Sequence, residues 1–178
     1  MTHRSPSTMR SHISEAMRAV VGRLAEWRVS FPVNESDIRR WAIATYYPSP
    51  PPREYLDAEF AEAERGGYVA PDEFNPFAWL LADHSVPLIT PKHRDPDRVE
   101  KALGIRGPGL SVQLNGGTAA TYGVPMRVGD VIRSELRVIG YRERAGRHGL
   151  MLFTLSEQVW TNQRGDHVRS EINTSIRY

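Results

Sequence analysis

The sequence predicts an α+β fold in which a long buried helix is wrapped by a curved antiparallel sheet of at least five strands. Helical signals end near residue 103, whereas the chain from Leu110 onward alternates with a period of two, the order expected when helices and strands are segregated along a chain. The run Phe77-Ala78-Trp79-Leu80-Leu81-Ala82 is apolar all round, and a helix of that kind has to be buried on every side, which makes it the filling of the sheet.

With 178 residues, 40% of them hydrophobic and 25% charged, the chain is sized for one domain that buries a full core. The absence of cysteine excludes disulfides, a thiolate nucleophile and thiolate metal sites, and it fits a reducing compartment, the cytoplasm. No apolar run approaches the ~18 residues that span a bilayer, and the first thirty residues lack the apolar stretch of an export signal. A net charge of +2 and a pI near 9.1, with arginines scattered along the chain, disfavour a nucleic-acid stripe.

Residues 1–10 are polar and hydroxyl-rich and read as a mobile tail before a domain over 11–178. Ile13, Met17, Val20, Val21 and Leu24 recur at helical spacing and predict a helix over 11–27. A second helix starts at Asn34, with Asp37 as the reciprocal partner of a capping box and Val33 and Ile38 as the staple. Ile38, Trp41, Ala42 and Thr45 form its inward face. Residues 46–55 contain four prolines and read as extended and irregular, either holding side chains over a cavity or simply connecting. A weak helix over 56–65 ends at Gly66-Gly67. Asn75-Pro76 caps the apolar helix, and 87–109 is a surface loop with one helical turn at 99–103. The expected strands cover 110–114, 118–122, 130–141, 149–161 and the terminal segment. The inner face of that last strand is Val168, Ser170, Ile172, Thr174, Ile176 and Tyr178, after a hairpin turn at 162–165.

The six histidines are dispersed, no HExxH occurs, and neither GxSxG, GxxxxGK nor GxGxxG is present, which disfavours metal, serine-nucleophile and phosphate-loop chemistry. Asn115-Gly116-Gly117 lies between strand-like stretches. Its glycines let a ligand approach exposed amides that could stabilise an enolate oxygen, or else mark a bulge in the sheet. Asp83-His84 ends the apolar helix either as an acid-base pair or as a cation at a helix C-terminus; adjacent helical residues point about 100° apart. Arg142, Arg144 and Arg147 flank a hairpin, where they meet the phosphates of coenzyme A or an acidic carrier, or are solvated.

Several blocks taken in order resemble the MaoC-like dehydratases, in particular the half that stands N-terminal in two-domain members, of FAS1-like dehydratase type. They are Pro32-Val33-Asn34-Glu35-Ser36-Asp37-Ile38-Arg39-Arg40-Trp41, Gly67-Tyr68-Val69-Ala70-Pro71, Glu73-Phe74-Asn75-Pro76-Phe77-Ala78-Trp79, Leu114-Asn115-Gly116-Gly117, Val128-Gly129-Asp130 and Thr161-Asn162-Gln163-Arg164-Gly165-Asp166. The resemblance implies a hot-dog fold, working in pairs as homodimer or heterodimer. It implies action on acyl thioesters of coenzyme A or carrier protein, by reversible hydration of a trans-2-enoyl group and without metal or redox cofactor. In active halves, an Asp and a His within Asp-x-Asn-Pro-x-His position water and move its proton.

The sequence departs from that motif. Registered from the left, Tyr47-Pro48-Ser49-Pro50-Pro51-Pro52 puts Tyr47 at the acid and Pro52 at the imidazole, with Ser49 at the amide. Registered from the right, Tyr55 falls where the His would lie. A phenol of ordinary pKa near 10 is a poor base, so the tyrosines are expected as hydrogen-bond donors or cavity walls. The expected catalytic set is thus Tyr47, Tyr55, Asp83 and His84, and the binding set Ser49, Arg53, Trp79, Asn115, Gly116 and Gly117. Three functions follow: a dehydratase or hydratase subunit that shapes the acyl tunnel and needs a partner half; a homodimeric enzyme of altered chemistry on a tailored, polyketide-like acyl substrate; or a non-catalytic acyl-thioester-binding protein.

Overall fold

The structure is a computed structural model describing residues 10–78, 95–147 and 149–178. Its centre is a five-stranded sheet in the order β1-β3-β4-β5-β2, antiparallel at every pairing and open, with β1 and β2 as its edges. The strands are β1 (Leu24–Val29), β2 (Gln113–Tyr122), β3 (Arg133–Gly146), β4 (Gly149–Thr161) and β5 (His167–Arg177). Four helices are described: α1 (Glu15–Ala19), α2 (Glu35–Tyr46), α3 (Ala58–Arg65) and α4 (Arg98–Ala102). The α+β class is as expected. Most of the apolar run around Trp79 lies outside the described residues.

Three expectations about helices, strands and register need correction. The helix over 11–27 is only α1, because Gly22 turns the chain at φ 83° and Leu24–Val29 pairs with β3. An amphipathic stripe cannot distinguish a helix from a half-buried edge strand when a partner strand satisfies the backbone. The two short strands at 110–114 and 118–122 are one strand, β2, kinked at Gly116 by a bulge. On β5 the predicted inner face is reversed. Val168 is an extra residue, since Thr161 faces His167 and Trp160 faces Arg169. Beyond this bulge Arg169, Glu171, Asn173, Ser175 and Arg177 share the face of Trp160, Gln158, Ser156 and Thr154, while Ile172 and Ile176 turn to the other side.

The main core gathers Val33, Ile38, Ala42, Tyr55, Ala61, Phe74, Phe77, Ile132, Trp160 and Val168. α2 presents Ile38 and Ala42 to it with Trp41 half-buried, but Thr45 is exposed, and the Asn34 side chain donates to the carbonyl of Pro32 at 3.1 Å instead of capping. Asn75 does cap the start of the apolar run, its Oδ1 accepting from the Phe77 amide at 3.0 Å. Phe77 itself is fully buried and packs edge-on against Trp160 at 5.3 Å. The blocks at 128–130 and 162–166 close on each other: buried Asp130 accepts from the Arg127 amide at 2.8 Å and from Gln163 Nε2 at 3.2 Å.

Candidate active site and binding cavity

α2 ends at Tyr46, and the next residue, Tyr47, leaves the helical region with φ −51° and ψ 136° ahead of the proline run. Two turns follow, the second a short 3-10 turn over Arg53–Tyr55, before Asp57 caps α3 by accepting from the Phe60 amide at 3.0 Å. This loop carries four of the expected site residues, and it separates them by exposure. Tyr47 is 81% exposed and Ser49 is exposed too, whereas Tyr55 is buried in the main core. Tyr46 joins Tyr55, ring centroids 6.2 Å apart. Burial pushes the Tyr55 phenol above its ordinary pKa, with Tyr46 and Glu54 adding to the effect, so the group stays protonated and donates rather than accepts a proton at neutral pH.

The carboxylates of the loop are committed elsewhere. Arg53 Nη2 lies 2.7 Å from Asp57 Oδ2, with its guanidinium 4.9 Å from the Phe60 ring, and Glu54 pairs with Arg65 at 2.7 Å. The backbone amide of Phe60, and then Arg53, hold Asp57 below its ordinary pKa.

A cavity of about 490 Å³ opens against the other end of the sheet's core face, within the range of about 300–1,000 Å³ usual for organic ligands. Ser134 and Leu136 of β3, Thr154, Ser156 and Gln158 of β4, and Asn173, Ser175 and Arg177 of β5 line it. Asn115 lines it as well, but Tyr47, Ser49, Arg53 and Tyr55 do not. At its edge Arg177 is buried among two carboxylates and a hydroxyl: Nη2 donates to Glu100 Oε1 at 2.6 Å and to Thr154 Oγ1 at 2.7 Å, and Nη1 to Asp97 Oδ1 at 3.0 Å. Tyr141 donates to Glu100 at 3.1 Å, and burial together with that carboxylate drives its phenol pKa far upward.

The Asn115-Gly116-Gly117 block sits at the β2 bulge. The Gly117 amide donates to Asn115 Oδ1 at 2.8 Å. A Cβ on Gly116 would stand 2.9 Å from side-chain carbons of Ile176 and Thr174, so close strand packing accounts for that glycine. Trp79, Asp83 and His84 lie outside the described residues. Sequence reasoning missed Arg177 and Glu100; the signal was the polar residue at every second position from Arg169 to Arg177, which reads as a solvent face unless the bulge is known. Among the described residues no cluster of three metal-ligating side chains occurs, and no helix is long and apolar enough to cross a membrane.

The fold is shared with solved structures. A chain of the ChsH1-ChsH2 complex from Mycobacterium tuberculosis aligns with a TM-score of 0.64 at 19% identity, covering 92% of this chain and 89% of that one. The R-hydratase PhaJ1 from Pseudomonas aeruginosa aligns with a TM-score of 0.53 at 18% identity, over 88% and 81% of the two chains. The MaoC-like dehydratase from Rhodospirillum rubrum aligns with a TM-score of 0.51 at 20% identity, over 86% and 90%. These likenesses show a hot-dog fold. No curated protein matches the chain at a significant level. Residues 19–171 match the family described as FAS1-like, dehydratase domain region, and the chain therefore belongs to that dehydratase family.

Proposed function

We propose that this chain is one hot-dog subunit of an acyl-thioester dehydratase or enoyl hydratase, that it shapes the acyl-binding part of the site, and that a second hot-dog subunit supplies the acid-base pair. The reaction adds water across C2 and C3 of a trans-2-enoyl thioester of coenzyme A or carrier protein, the hydroxyl going to C3 and the proton to C2, or runs in reverse. The observation that carries this reading is the α2–α3 loop. Its carboxylates, Glu54 and Asp57, are tied to Arg65 and Arg53, and it contains no histidine, so it offers no free base to abstract a proton. The edge of the sheet supports pairing: all ten residues of β2 are exposed, and its outer backbone row has no partner strand among the described residues, an arrangement that invites a strand from another subunit.

The ChsH1-ChsH2 complex, similar in fold, is itself an assembly of two kinds of chain. A thioester carbonyl would need a hydrogen-bond donor, and the exposure of the Tyr47 and Ser49 hydroxyls supports a role for them as such donors.

The test is turnover of crotonyl and longer enoyl thioesters by the purified chain, alone and after co-expression with hot-dog proteins encoded beside it. Activity only with the partner supports the proposal, and brisk turnover by the chain alone overturns it. That second result would favour a homodimer using Tyr55 as proton donor, a reading that the buried, still protonated phenol supports. Absence of turnover with every partner would leave an acyl-thioester-binding role.

A further inference from the structure

We infer that the cavity on the core face of the sheet receives an acyl chain bearing hydroxyl or carbonyl oxygens along its length, and selects against a plain hydrocarbon tail. The inference rests on the reading that the chain binds acyl thioesters, and it specifies their class. Most of the side chains that β3, β4 and β5 contribute to this space are polar, among them Ser134, Thr154, Ser156, Gln158, Asn173 and Ser175. The bulge at Val168 is what puts Asn173, Ser175 and Arg177 there while sending Ile172 and Ile176 to the opposite face. Leu136 and Leu114 also reach the cavity, but the isoleucines of β5 are turned away from it and polar side chains take their place.

Several of these polar groups lack full partners inside the protein. The Nε of Arg177 is buried without any hydrogen bond. The hydroxyl of Ser156 has no protein partner among the described residues. Others are already oriented: Gln158 Nε2 donates to Ser134 Oγ at 2.7 Å, and Gln113 Nε2 to Ser175 Oγ at 2.9 Å, which leaves Gln158 Oε1 as an acceptor at the cavity. A hydrocarbon entering this space strips water from these groups and returns nothing, and a buried polar group left unpaired is the costly outcome. An oxygenated chain replaces the lost water with its own donors and acceptors. Sites built this way discriminate far more sharply against analogues lacking the oxygen than apolar pockets discriminate by size.

Isothermal titration calorimetry of the full chain, with its partner subunit where one copurifies, should compare an octanoyl pantetheine thioester with its counterpart carrying two hydroxyls on the distal half of the chain. The oxygenated thioester is expected to bind at least about tenfold more tightly. Ser156→Ala, which removes a hydroxyl with no partner among the described residues, and Gln158→Leu should each cut that preference severalfold while octanoyl binding holds or improves. Equal or tighter binding of the octanoyl thioester overturns the inference and leaves the acyl-thioester reading standing. Binding of neither thioester overturns both. A preference that survives both substitutions places the ligand elsewhere and also overturns it.

Discussion

The guanidinium of Arg177 meets the carboxylate of Glu100 in a two-pronged ion pair, Nη2 to Oε1 at 2.6 Å and Nη1 to Oε2 at 3.1 Å, with each residue only 1% exposed. This contact ties the last strand to α4 across the edge of the cavity. Removing one partner of such a pair strands the other charge out of water. Arg177→Ala is expected to cost about 3–5 kcal/mol of stability, read by urea denaturation monitored by circular dichroism. The double variant Arg177→Leu/Glu100→Leu should recover part of that loss, because it removes both members of the pair and leaves Asp97 as the one charge to be accommodated, beside the neutral hydroxyls of Thr154 and Tyr141. A single variant as stable as the parent would show that the pair does not hold α4 in place.

The β2 bulge makes a separate prediction about glycine. Gly116→Ala puts a methyl 2.9 Å from side-chain carbons of Ile176 and Thr174. Overpacking of this kind costs about 1–3 kcal/mol, and thermal unfolding should show it. Gly117 has open space around it but sits at φ 120°, so Gly117→Ala should destabilise through backbone strain alone, by about 1–3 kcal/mol. Adding Thr174→Ser and Ile176→Ala, which remove the carbons the new methyl meets, should relieve the steric part of the first variant's loss and bring no relief to the second.

Asp57 links the fold to acid. Its folded pKa is lowered by the Phe60 amide first and by Arg53 second, so its contribution is complete above the ordinary carboxylate value of 3.8 and is lost as pH falls through the lower folded value. The melting temperature of the parent should fall in that window. Asp57→Asn, which keeps an acceptor for the Phe60 amide but removes the charge that Arg53 meets, should lower the melting temperature at neutral pH and flatten the acid limb; an unchanged limb would show that the Asp57 charge does not contribute.

Tyr55 predicts a pattern of rates. Its phenol is held above 10.0 by burial, so in an active assembly no alkaline limb below that pH should originate from it. If it donates to the thioester or to the water, Tyr55→Phe should lower kcat about tenfold or more with little change in melting temperature, since the ring and its packing are kept. Equal rates would eliminate the residue from the chemistry.

The exposed edge predicts assembly. A proline at Ala119 or at Ala120 should weaken subunit association measured by light scattering, because at one of the two positions the missing amide is the outward one that an added strand would use. Association unaffected by either substitution would place the interface elsewhere.

By itself the sequence determined the α+β class, the positions of β3, β4 and β5, the end of α3 at Gly66 and the turn before Asp166, because local physics suffices for these. Alternating burial marks a strand with one wet face, and a left-handed residue such as Gly66, at φ 64°, ends a helix without help from its neighbours. The resemblance carried by ordered short blocks led to the family, and it located the α2–α3 loop.

Only the tertiary structure decided which face of β5 meets the core. One extra residue at Val168 reverses every side chain after it, and nothing in the alternation of Ser170 to Ile176 reveals where the pairing slips. It likewise decided that Leu24–Val29 is a strand, since an edge strand exists only where β3 offers its backbone, and that Arg177 and Glu100, with no local reason to be buried, compensate each other's charge. Register and charge pairing are relations between distant segments, so the cavity they build was invisible until the strands were laid side by side.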